Sequence, residues 1–113
     1  MATATFVHDG KSVDYTPSSA VAAGDVVVQE DLIGIAKQPI AANALGALAV
    51  AGVFDVPKAT GGGSAIAAGA SVYWDVAEQV AKTDSESGAN KLLGKVVKAA
   101  ADADATVRVR LSQ

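Results

Sequence analysis

The hexapeptide Ser19-Ala20-Val21-Ala22-Ala23-Gly24 returns as Ser64-Ala65-Ile66-Ala67-Ala68-Gly69, with five identities and one Val/Ile exchange. A repeat of this kind implies a fold built twice from one supersecondary unit. Each copy precedes a β-rich run, 26–28 and then 71–74, and each is followed by a second echo, Leu32-Ile33-Gly34 against Leu92-Leu93-Gly94. Ala-rich links and strands ending at Val56 and Leu111 complete both units. The alternative is coincidental matching in an Ala-rich chain. A β-β-β unit that cannot bury a face alone closes on its copy, so the expectation is an all-β, pseudo-two-fold barrel or sandwich.

The hydrophobic period supports this, because it is two rather than 3.6. Asp9-Gly10 between residues 3–8 and 11–16 is a hairpin signal, since a type I′ turn needs φ > 0 twice. That register pairs Phe6 with Val13, Ala4 with Tyr15 and His8 with Lys11. It sends Phe6, Val13 and Tyr15 inward and Thr5, Ser12 and Asp14 outward. Pro17 then ends the ladder. Further strands are expected over 26–28, 32–36, 45–56 (through Leu48, Val50, Phe54 and Val56), 72–76, around Val80, and over 92–98. In 106–111, Val107, Val109 and Leu111 face inward, and Arg108 and Arg110 outward. The Ala-rich stretches 40–51 and 99–105 carry Asn43, Gly46, Asp102 and Asp104, poor helix-interior residues, so at most one short helix is expected.

The 113 residues fit one domain, with halves at about 1–50 and 51–113. Half the residues are hydrophobic but only 4% aromatic, so small and β-branched side chains must fill the core. Charged residues make up 19%, and twelve acidic groups outnumber nine basic ones. A net charge of −3 and a pI near 4.9 argue against a nucleic-acid partner, which requires a Lys/Arg surplus. Disulfides, thiolate nucleophiles and cysteine-ligated metals are excluded by the absence of cysteine. No secretory signal is visible at the start. The longest apolar stretch, 40–54, is too short and too rich in Ala and Gly for a membrane helix.

No constellation of catalytic groups assembles from these residue types. His8 is the one imidazole and reads as an exposed turn residue, because Asp9 beside it faces the other way. Asp84, Glu86, Asp102 and Asp104 lack the dense oxygen spacing and closing Glu of a calcium loop, and read as solvated loop carboxylates. The run from Gly88 to Val96 fails as a phosphate loop: five residues separate its glycines where four are needed, and Val96 stands where Ser or Thr binds magnesium. Gly61-Gly62-Gly63 reads as a hinge or surface loop. No cofactor, no metal and no enzymatic activity are expected. Tyr73 and Trp74 point opposite ways on one strand, so one large aromatic is available to a partner. Arg108 and Arg110 share a face; they are either solvated edge charges or partners for carboxylates on a neighbouring chain. Tyr73, Trp74, Arg108 and Arg110 are the candidate interface residues.

The segments Ala-Gly-Asp-Val-Val-Val, Leu-Ile-Gly-Ile-Ala, Leu-Leu-Gly-Lys-Val and Val-Arg-Val-Arg-Leu span almost the whole chain. The most distinctive are Gly52-Val53-Phe54-Asp55-Val56-Pro57-Lys58 and Ala68-Gly69-Ala70-Ser71-Val72-Tyr73-Trp74-Asp75. Together they resemble the small tailed-bacteriophage proteins read as capsid cement or decoration proteins, some of which carry a recombinase label that the failed phosphate loop does not support. The resemblance implies a compact β fold on the outside of an assembled head, made in the host cytoplasm and bound to the major capsid protein, often as an oligomer over symmetry axes. A homotrimer matching local three-fold sites is expected, with residues 2–7 and 106–111 as free edges joined across subunits and both arginines set against an acidic neighbour. No membrane or nucleic-acid partner is expected. The rival function is a small sugar- or ligand-binding β module of adhesin or receptor-binding type.

Overall fold

A computed structural model describes residues 4–5 and 10–111. Its strands are β1 (Ser12–Tyr15), β2 (Val26–Gln29), β3 (Leu32–Ile35), β4 (Gly46–Ala49), β5 (Val53–Pro57), β6 (Ser71–Asp75), β7 (Val80–Lys82), β8 (Lys91–Lys98) and β9 (Thr106–Leu111). A single 3-10 turn, Glu86–Gly88, is the helical content of the described residues. The strands form two antiparallel sheets, ordered β1-β4-β3-β2 and β5-β9-β8-β6-β7. The order of the first recurs in the second, with β5, β9, β8 and β6 in the places of β1, β4, β3 and β2. β7 is added on the outer side of β6.

The repeated hexapeptide does the same work in both halves. Val21 exchanges two backbone hydrogen bonds with Ile40 at 2.8 Å, and Ile66 exchanges two with Ala100 at 2.9 Å. The Gly24 N–H then donates to the Ala36 carbonyl (2.6 Å) and the Gly69 N–H to that of Val96 (2.7 Å). Gly24 and Gly69 have φ of 92° and 88°. Each is the third residue of a four-residue turn that demands φ > 0, which is why both copies end in glycine. The duplication is therefore structural as well as sequential, and the all-β, two-sheet expectation holds. Both strand orders are open, so the sandwich form is the one realised.

The two sheets bury their faces unequally. In the second, β9 alternates strictly, with Val107, Val109 and Leu111 buried beside Val56, Val72, Trp74, Leu93 and Val96. In the first, Val27 packs with Ala36, Ile40 and Leu48, while Val26 and Val28 on the opposite face join Ile33 and Ile35 in the second sheet's core. A strand apolar on both faces is a buried strand, and here the second sheet supplies the cover. By strand pairing and the repeat, Val27, Ala36, Ile40 and Leu48 correspond to Val72, Val96, Ala100 and Val109. The back of the first sheet thus covers the front of the second.

Several local expectations need correction. Residues 3 and 6–9 of the proposed hairpin, with Phe6 and His8, lie outside the described residues. Ala4 belongs to no strand, and Tyr15 pairs instead with Gly46 of β4. The run 45–56 is not one strand: β4 and β5 belong to different sheets, and the chain crosses between them at 50–52. Alternation carried across that crossing by chance. β9 is not an edge, because it lies between β5 and β8. The outward aim of Ser12 and Asp14 and the inward aim of Val13 and Tyr15 do hold.

Where β8 crosses β9, a Cβ on Gly94 would stand 2.0 Å from the Arg110 carbonyl oxygen, a backbone atom that cannot swing aside. Gly94→Ala is expected to cost about 3 kcal/mol or to prevent folding. Gly62→Ala, with nothing within 4 Å of the new methyl, is expected to be nearly neutral. Urea unfolding of both variants checks the contrast.

Candidate interaction surface

The outward-facing residues of β9 organise the outer face of the second sheet. Arg108 lies opposite Asp55 of β5 and Lys98 of β8, and Arg110 opposite Val53 and Lys95. The Arg108 guanidinium grips Asp55 with two bonds, Nε to Oδ1 at 2.9 Å and Nη2 to Oδ2 at 3.2 Å. This fork holds the Asp55 carboxyl below the usual carboxylate range and raises Arg108 further above its own. Lys95 Nζ donates to Ser71 Oγ at 2.9 Å. Tyr73, two residues along β6, is half-buried on the same face. Arg110 is exposed and makes no ion pair among the described residues. Val53 and Val97 are about half exposed. The β5, β9 and β8 part of this face gathers Lys95, Lys98, Arg108 and Arg110 around Asp55, while its β6–β7 part carries Asp75 and Lys82 beside Tyr73.

Of the four candidates, Tyr73, Arg108 and Arg110 share this face. Trp74 points the other way, 2% exposed in the core, with its Nε1 lacking a hydrogen-bond partner among the described residues. Arg108 is engaged by Asp55 of its own sheet through Nε and Nη2. Both arginines project from an interior strand, so they do not guard an edge.

The loop carboxylates turn out to cap turns. Asp102 Oδ1 accepts the Ala65 N–H (2.7 Å), Asp104 Oδ2 that of Ala101 (2.8 Å), and Asp84 Oδ1 that of Glu86 (2.8 Å). Among the described residues, no three His, Asp or Glu side chains gather as metal ligands. The run 88–96 enters a strand rather than a helix, so it presents no helix N-terminus to a phosphate. Gly61 is tied down through its N–H to the Asp102 carbonyl at 3.0 Å.

Two lysines escaped the sequence reading. Lys82 is a hub, bound to Asp75 at 3.0 Å, to Glu78, and to Glu86 at 3.4 Å. The Glu78 contact, then that to Asp75, pushes its pKa up. Asp75 is lowered first by the Glu78 N–H and then by Lys82. Lys58 is buried and donates to the carbonyls of Ala59 (2.7 Å) and Asp104 (2.9 Å), which pins the β5 end to the 101–105 turn. The alternation Phe54, Val56, Lys58 was its available signal.

The chain is thus a small antiparallel β protein whose loop carboxylates cap turns and whose second sheet carries a Lys/Arg cluster and an ion-pair hub on its outer face. The family model of phage cement proteins matches residues 7–111, nearly the whole chain, and the chain belongs to that family. No curated protein and no solved structure matches it.

Asp55 and Asp75 both have lowered pKa values in the fold, so their stabilisation is present above the unfolded carboxylate pKa of about 3.9 and is lost as pH falls through the folded value. The melting temperature is expected to fall on acidification below about pH 4, and the slope to flatten in Asp75→Asn. Calorimetry across the acid range checks both.

Proposed function

We propose that the chain is a non-enzymatic structural virion protein that binds the outer surface of the assembled head, contacts the major capsid protein and stabilises the shell. The observation that carries this reading is the family match over nearly the whole chain. A protein that binds only the assembled lattice raises the free energy of disassembly by mass action, about 2.7 kcal/mol per site at a hundredfold excess over Kd. One patch repeated over a symmetric shell converts weak contacts into firm attachment. The protein acts from the virion exterior, after synthesis in the host cytoplasm, and as a homo-oligomer, with a trimer suited to three-fold sites. Neither nucleic acid nor membrane is its partner. The net charge is negative, and among the described residues no helix is long and apolar enough to cross a membrane.

The rival sugar-binding reading has little to build on. A groove of about 430 Å³ on the first sheet is lined by Ala, Gly, Pro, Ile and Leu with Ser12, Lys37 and Gln38, and its lining holds no aromatic platform.

Purified heads are expected to melt at a higher temperature when saturated with this protein. An unchanged transition at full occupancy would exclude the cementing role, and a reproducible thermal shift with a glycan class but no affinity for heads would favour the rival.

A further inference from the structure

The duplication supplies an internal comparison for the groove on the first sheet. β1 pairs with β4 so that Asp14 lies opposite Ala47, and β5 pairs with β9 so that Asp55 lies opposite Arg108. These are equivalent positions. The neighbouring pairs, Val13 with Leu48 and Phe54 with Val109, each turn inward to a core. Asp14 and Asp55 therefore project from the same outer place in their two sheets. In the second half, Arg108 occupies that place, beside a groove of about 250 Å³ that includes Ala99, Ala100 and Asp104. In the first half, Ala47 leaves it empty, and the corresponding groove past Pro39, Ile40 and Ala44 widens to about 430 Å³. Leu45, on its rim, is 71% exposed. Asp14 is exposed and makes no ion pair among the described residues.

We propose that the groove over Ala47 receives Arg110 of a second copy of this chain, held by Asp14, which lies opposite Ala47 across the β1–β4 pairing, as Arg108 is held by Asp55. Charge complementarity and the arginine count select this occupant. The chain has two arginines, Arg108 is engaged within its own sheet, and Arg110 projects from the same outer face without an ion pair among the described residues. A planar guanidinium matches a carboxylate with two parallel bonds, which a lysine ammonium cannot do. Lys37 also lines the groove, but Lys98 lines the second half's groove without displacing Arg108 from Asp55. Receptor and donor lie on different sheets of one chain, so the contact is heterologous, and repetition closes a ring when the rotation permits. The proposal rests on the self-associating part of the cement reading and requires no capsid.

The test is the mass of the purified protein in solution across concentration and salt, with head binding measured separately. Asp14→Arg and Arg110→Asp are each expected to weaken self-association roughly fivefold per contact at low salt. The double variant carrying both changes is expected to restore it. Ala47→Arg, which places an arginine over Asp14 within the same chain, is expected to block association while melting no lower than the wild type. A wild type that stays monomeric at every concentration, or a double variant no better than the singles, overturns the proposal. If the free protein is monomeric and Asp14→Arg weakens only head binding, the groove belongs to a capsid arginine; this also overturns the proposal, yet leaves the cement function standing.

Discussion

Everything in this molecule depends on the contact between the back of the first sheet and the front of the second. Val26, Val28, Ile33 and Ile35 close the core that contains Val72, Trp74, Val96, Val107 and Val109. The chain has few aromatics, so burial is achieved by many small and branched side chains across this layer rather than by a few large ones. Without the cover, the second sheet would expose a continuous apolar face, and two β units too small to stand alone would each fail. The first sheet is the more lightly covered partner. Its own front face ends in the half-buried Val13, Tyr15, Val21 and Val27.

The same stacking separates the charges. Once the front of the second sheet is committed to the core, its back must be polar, and the alternation of β9 fills that back with arginines. Asp55 and Arg108 tie β5 to β9, and Lys95 ties β8 to Ser71 of β6, so side-chain bonds across the strands reinforce this face. Divergence between the halves then created two different surfaces from one ancestral plan: an arginine-filled groove in one half and an open groove in the other.

Much of this was legible in the sequence. The repeated hexapeptide marked the duplication, and the strict alternation of 106–111 gave the inward and outward residues of β9. What failed was non-local. The valines 26–28 read as one apolar run, and nothing in their spacing says that Val27 serves one core while its neighbours serve another. Asp55 and Arg108 stand far apart in the chain, so their pairing appears only once β5 and β9 are adjacent. Alternation also required Tyr73 and Trp74 to diverge without saying which turned inward. Val72 shares no face with Trp74's neighbour Tyr73, and its burial with Trp74 decides the matter. The crossing at 50–52 was hidden because the period happened to continue through it.

Whether the two sheets stand or fall together through one core is read by equilibrium unfolding followed at two places. Trp74 fluorescence reports the second sheet, and hydrogen exchange at the amides of β3 reports the first. Coincident transitions with one midpoint are expected, since neither face survives without the other. Loss of β3 protection at a denaturant concentration where Trp74 remains native would contradict that coupling.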